Sequence, residues 1–154
     1  MTVDRLESDC RGDGHHAENF GASLLYDDDE SRLRLGLVAA SSADSVAAIG
    51  WLEVADHTTD IAQISAVLRD WERRYGTRVV AIKDGSLHLS VSAPPGNRAE
   101  ALRVAAEHYA FCPEDTWQTT LALVNNEITP FSGTVLAEYA ETIINKGIWI
   151  FHWY

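Results

Sequence analysis

Residues 71–117 read WERRYGTRVVAIKDGSLHLSVSAPPGNRAEALRVAAEHYAFCPEDTW. In one run they hold a helix end, a hairpin, a capped helix and a proline stop. Asp84-Gly85 is a two-residue turn signal of the type I′ kind, because both residues tolerate positive φ. Centred there, the hairpin is predicted to place Lys83 opposite Ser86, Ile82 opposite Leu87, Val80 opposite Leu89 and Arg78 opposite Val91. In that register Val80, Ile82, Leu87, Leu89 and Val91 share one face. Val79, Ala81, Lys83, Ser86, His88 and Ser90 share the other.

Working outward, Ile61, Ile64, Val67, Leu68, Trp71 and Tyr75 recur at three- and four-residue steps, the stripe of an amphipathic helix. Thr58, Thr59 and Asp60 offer capping oxygens at its start, and Gly76 can close it. Further upstream, Ser42-Ala43-Asp44 opens a short helix through Val46 and Ile49 that Gly50 ends. Leu33, Leu35 and Leu37 alternate with Arg32, Arg34 and Gly36, which predicts a strand with one buried face. Downstream, Pro94-Pro95 ends the hairpin, and Asn97 with Glu100 forms a near capping box. The helix that follows is expected to bury Leu102, Ala105, Ala106, Tyr109 and Ala110, with Val104, His108, Phe111 and Cys112 beside them. Pro113 stops it. In 119–131, Leu121, Leu123 and Val124 suggest a short strand and Asn125-Asn126 a turn. A last helix is predicted from Ser132 or Thr134 to Lys146, closed by Gly147, with Val135, Leu136, Tyr139, Ile143 and Ile144 inside. The chain then reads IWIFHWY at 148–154, a β-prone strand expected to join the sheet beside the hairpin. The sum is an α+β domain: a mainly antiparallel sheet with about three helices packed on it.

With 154 residues, 46% of them hydrophobic, the chain can build one sizeable core. It has no apolar run long enough for a membrane span and no apolar h-region of a secretory signal. Cys10 and Cys112 stand in unlike contexts, so no disulfide framework is expected and a reducing cytoplasm fits. The formal net charge is −11. Residues 1–30 read as an acidic flexible leader, with nine acids against two arginines, and 31–154 as the folded domain. Acidity disfavours nucleic acid and suits a basic protein partner.

The stretches LGLVAA at 35–40, the AIGW ending at Trp51, ISAVLRDWERRYGTRVVAI at 64–82, LHLSVSAPP at 87–95 and ALRVAAEHYAFCPEDTWQ at 101–118, with the tryptophan-rich end, resemble the bacterial family catalogued as domain of unknown function 4253. The resemblance covers about three quarters of the chain, and AAEHYAFCPEDTWQ is its most specific part. It implies one bacterial or phage-borne domain and carries no activity with it. Family members tend to end on a Trp-x-Phe-Trp-Trp-Asp-like strand. Here the end is Trp149-Ile150-Phe151-His152-Trp153-Tyr154, without that acid, and Thr119–Gly133 is longer than usual.

Glu107, His108 and Cys112 are the residues from which chemistry could be built. His108 and Cys112 stand four apart, a spacing that suits two zinc ligands. No CxxC or HxxxH pair supplies the other two, and only His57, His88, His152 or Asp115 could add to them. Acids at Glu114 and Asp115 would raise the Cys112 thiol pKa and oppose a nucleophilic role. The competing reading is a half-buried histidine bonded to backbone and a cysteine packed as a small apolar group. Asp27, Asp28, Asp29 and Glu30 lack the alternation of a calcium loop. There is no P-loop, GxGxxG or GxSxG. No metal or cofactor is therefore expected. Trp149, Phe151 and Trp153 share one face of the last strand, and Ile148, Ile150, His152 and Tyr154 the other. A strand apolar on both faces is either central or meets a partner. These features suggest a non-catalytic protein-binding module of the immunity or antitoxin kind, masking a basic partner through Asp27, Asp28, Asp29, Trp149 and Trp153. One alternative is an enzyme or metal protein centred on Glu107, His108 and Cys112. Another is a phage or host accessory protein that self-assembles.

Overall fold

Thr77–Lys83 (β1) and Ser86–Val91 (β2) form the hairpin, antiparallel and joined at Gly85. The computed structural model describes residues 35–51, 61–83, 85–113 and 133–153, all but Leu35 within the compact unit Gly36–Tyr154. The leader with Asp27, Asp28 and Asp29, the caps Thr58, Thr59 and Asp60, Asp84, and 119–131 lie outside those residues. So do His57, Asp115 and Tyr154.

Near the turn the register is the expected one: Lys83 faces Ser86 and Ile82 faces Leu87. Beyond it the expectation fails. Ala81 faces His88, Val79 faces Leu89 and Thr77 faces Val91, with a bulge between Val79 and Ala81. Val80 is the extra residue and is 39% exposed, while Val79 packs against the core. Two identical valines stand side by side, so the hydrophobic pattern could not choose between them. The bulge does, by setting two residues against one. Ser42 Oγ accepts a 2.7 Å hydrogen bond from the Val79 N–H beside it.

Ile148–His152 (β3) pairs antiparallel with β2, so the order is β1-β2-β3. It joins beside the hairpin as expected, but at the end of the described sheet and not at its centre. Its faces are unequal: Trp149 and Phe151 are buried, Ile148 and Ile150 only partly. Trp153 continues the contact, its N–H donating to Gly85 O at 2.8 Å.

The helices are Ser45–Ala48 (α1), Ile61–Tyr75 (α2), Arg98–Phe111 (α3) and Gly133–Ile143 (α4). On α2 the predicted stripe holds: Ile64, Leu68, Trp71 and Tyr75 are buried. On α3 Asn97 caps as expected, its side chain accepting from the Glu100 N–H, while Glu100 reaches back to the Gly96 N–H. The buried face of α3 differs from the prediction. Ala101, Val104, Ala105 and His108 are inside, and Ala106 and Ala110 are exposed. Alanines surround this helix, so periodicity alone did not fix its rotation. The α4 stripe is as expected, but its exit is not Gly147. Asn145 takes the positive φ of 55° and donates its N–H to Pro95 O, a left-handed exit that asparagine tolerates.

The predicted leucine strand is also corrected. Leu35 and Leu37 are in no strand and are 102% and 99% exposed. Alternation gives a strand only where a partner takes its backbone groups and a core takes one face. Neither is present here among the described residues.

The core lies between the inner sheet face and the helices, with Trp71 at its middle. Its indole stacks on Phe151 at 5.5 Å and meets His108, Phe111 and Trp149 edge-on at 4.9–5.6 Å. Fully burying an apolar side chain such as Phe151 contributes roughly 1.5–3 kcal/mol. The architecture is α+β: a three-stranded antiparallel sheet and about four helices.

Candidate functional site

The sequence-predicted trio sits where α3 crosses α2 and the inner sheet face. Its three members go to three separate fates. Glu107, half-buried, accepts from the Trp71 indole N–H at 2.8 Å and holds Arg74 through two hydrogen bonds, at 3.0 and 2.6 Å. Arg74 also pairs with Asp70 at 2.6 Å. The hydrogen bond to Glu107 raises the already high pKa of the Arg74 guanidinium further, against a smaller opposing effect of burial. Arg74 lies over the Tyr75 ring at 4.8 Å, and burial raises the Tyr75 phenol pKa.

His108 is 0% exposed. Its Nδ1 shares a 2.9 Å hydrogen bond with the Tyr139 hydroxyl of α4, not with backbone. Trp71, Trp149, Phe151 and Tyr139 ring it at 4.5–5.8 Å. Burial pushes its pKa down to about 3, because a charged imidazole loses its water there. Cys112 is buried at the end of α3, and its thiol donates to His152 O at 3.1 Å. That bond ties α3 to β3. Glu107, His108 and Cys112 lie within six residues of sequence but do not converge on one reacting point. Among the described residues no group of three or more His, Cys, Asp or Glu could hold a metal ion.

Of the residues assigned to partner binding, Trp149 is 2% exposed and forms part of the core. A partner at the surface of this unit would not reach its ring. Trp153 is only partly buried and packs edge-on against Trp51 and Phe111. It lines a groove of about 900 Å³ between α2 and α3. The groove is floored by Ile64, Val67, Trp71, Phe111 and Pro113 and flanked by Ala66 and Ala110, with Gln63, Asp70, Arg74 and Glu107 at its polar edge. Sequence reading missed this groove. Its signals were exposed alanines at Ala66 and Ala110 beside aromatic stripe positions, and a charge cluster one turn beyond Trp71.

The fold and this groove define a small α+β unit with a partly apolar cleft and an internally bonded polar trio. The chain belongs to the family described as domain of unknown function (DUF4253), whose model matches residues 34–154. No curated protein matches it, and no solved structure does. Among the described residues no helix is long and apolar enough to cross a membrane.

Proposed function

We propose that the protein is a non-catalytic binding module and that a protein partner sits in the groove between α2 and α3. One observation carries this reading. The polar trio of the family's most distinctive segment is spent on internal bonds, while Trp153, Val67 and Phe111 line an open cleft. An apolar, aromatic-rich centre with polar groups at its rim is also the anatomy of a protein-binding patch. The formal charge of −11 supports a basic partner, as an inhibitor of the immunity or antitoxin kind would meet, because acidic surfaces steer such partners in. Asp27, Asp28 and Asp29 would add to that steering.

The test places a photo-crosslinking residue at Ala66, exposed and beside the groove, and separately at Ala47, exposed on α1. Irradiated in its native host, the Ala66 protein should form an adduct with one other protein, and its yield should fall as salt is raised. The Ala47 protein should not form it. An adduct between two copies of the chain would favour self-assembly. No adduct at either position would remove the reading.

A further inference from the structure

Granted that the groove between α2 and α3 is the binding face, as proposed above, its walls restrict what can enter it. Both walls are helices, and the backbone groups of a helix interior are spent on their own ladder. Trp153, which follows β3 into the groove, gives its N–H to Gly85 O. Among the described lining residues no strand edge is offered. A peptide lying extended against Val67, Phe111 and Pro113 would desolvate its own N–H and C=O groups with nothing to pair them, which costs free energy at each. A helix brings its backbone already paired. Ala66 on α2 and Ala110 on α3 are exposed at the two walls, and side chains this small let a third helix axis come close.

The polar edge sets the charge of what enters. The charged side chains lining the groove are Asp70, Arg74 and Glu107. Arg74 spans both carboxylates, at 2.6 Å each, so one positive charge serves two negative ones. Arg73 also pairs with Asp70, but it does not line the groove and most of its side chain is exposed, where such a pair contributes little. Asp70 and Glu107 are each more than a third exposed, and a carboxylate has about four acceptor sites, so both can take a further donor. We propose that the occupant is an amphipathic helix of the partner. Its apolar residues, at i, i+3 or i+4 and i+7, lie on Val67, Phe111 and Trp153, and a lysine or arginine beside them reaches Asp70 and Glu107.

Photo-crosslinking residues at Ala66 and, in a second chain, at Ala110 sample the two walls. In the native host both should join one and the same partner segment, at apolar residues three, four or seven apart. A synthetic peptide of that segment, marginally helical on its own, should gain helix signal in circular dichroism when mixed with the purified full chain. Exchanging its lysine or arginine for glutamate should weaken binding at least about tenfold, because like charges then meet at the groove edge. Asp70→Asn in the chain should weaken the unaltered peptide about three- to tenfold and leave a peptide with methionine at the basic position unaffected. A peptide that binds without gaining helix, crosslinked residues two apart, or indifference to the glutamate exchange would overturn the proposal while leaving the groove as the binding face. No adduct at either wall would overturn both.

Discussion

Glu107 accepts a 2.8 Å hydrogen bond from the indole N–H of Trp71, a residue thirty-six positions earlier in the chain. The bond clamps α3 onto α2 at the edge of the groove, and Arg74 clasps the same carboxylate from the other side. Glu107→Ala leaves a largely enclosed donor without an acceptor, which costs about 1–3 kcal/mol. Urea unfolding should show that loss. Glu107→Gln keeps an acceptor for Trp71 and should recover most of it. In a double-mutant cycle with Trp71→Phe, the coupling should be about 1 kcal/mol. Additive effects would show that the bond does not contribute.

His108 makes stability depend on pH. Its folded pKa lies near 3, below the ordinary 6.5, so the unfolded chain binds a proton that the folded chain refuses. Its neutral form is compatible with the fold above pH 6.5. As pH falls from 6.5 towards 3, stability should drop by about 1.4 kcal/mol per unit from this residue alone. The cleanest window is pH 6.5 to 5.5, above the range where most carboxylates titrate. His108→Gln should start less stable at pH 7 and show a shallower decline across that window. Equal slopes for both proteins would rule out His108 as the source.

The bulge makes a prediction opposite to the simple hairpin. Val80→Lys should change stability by less than about 0.5 kcal/mol, as surface changes usually do. Val79→Lys should cost roughly 2–4 kcal/mol, because it drives a charge into the core edge. The uninterrupted register would give the reverse order. Two denaturation curves distinguish them.

Gly85 and Gly50 both hold positive φ, 63° and 66°. A Cβ on Gly50 meets nothing within 4 Å, whereas one on Gly85 meets Trp153 O at 2.6 Å. Gly50→Ala should cost only the left-handed strain, about 1–2 kcal/mol. Gly85→Ala should cost more and loosen the Trp153 contact, visible as a shift in tryptophan emission. Equal costs would mean that the turn yields without disturbing the end of β3.

How far the sequence spoke can be followed residue by residue. The α2 stripe, the Asn97 cap, the turn at Gly85 and the aromatic end strand were legible because each is local. A period, a capping oxygen or a positive φ depends on residues within a few positions of one another. The candidate trio was legible as residue types and not as roles. Whether Glu107 is a catalytic acid or a clamp depends on Trp71 and Arg74, and whether His108 titrates depends on four rings from three other elements. No spacing rule contains those partners. The register beyond Val80 and the rotation of α3 were ambiguous for a plainer reason: where neighbouring residues are equally apolar, pattern gives no preference. Local chemistry in the chain therefore determined which elements form and where most of them stop. Only the packing of α2, α3 and α4 against the sheet decided which valine enters the core, which face of α3 is buried and that His108 stays neutral, because those outcomes rest on contacts between distant segments.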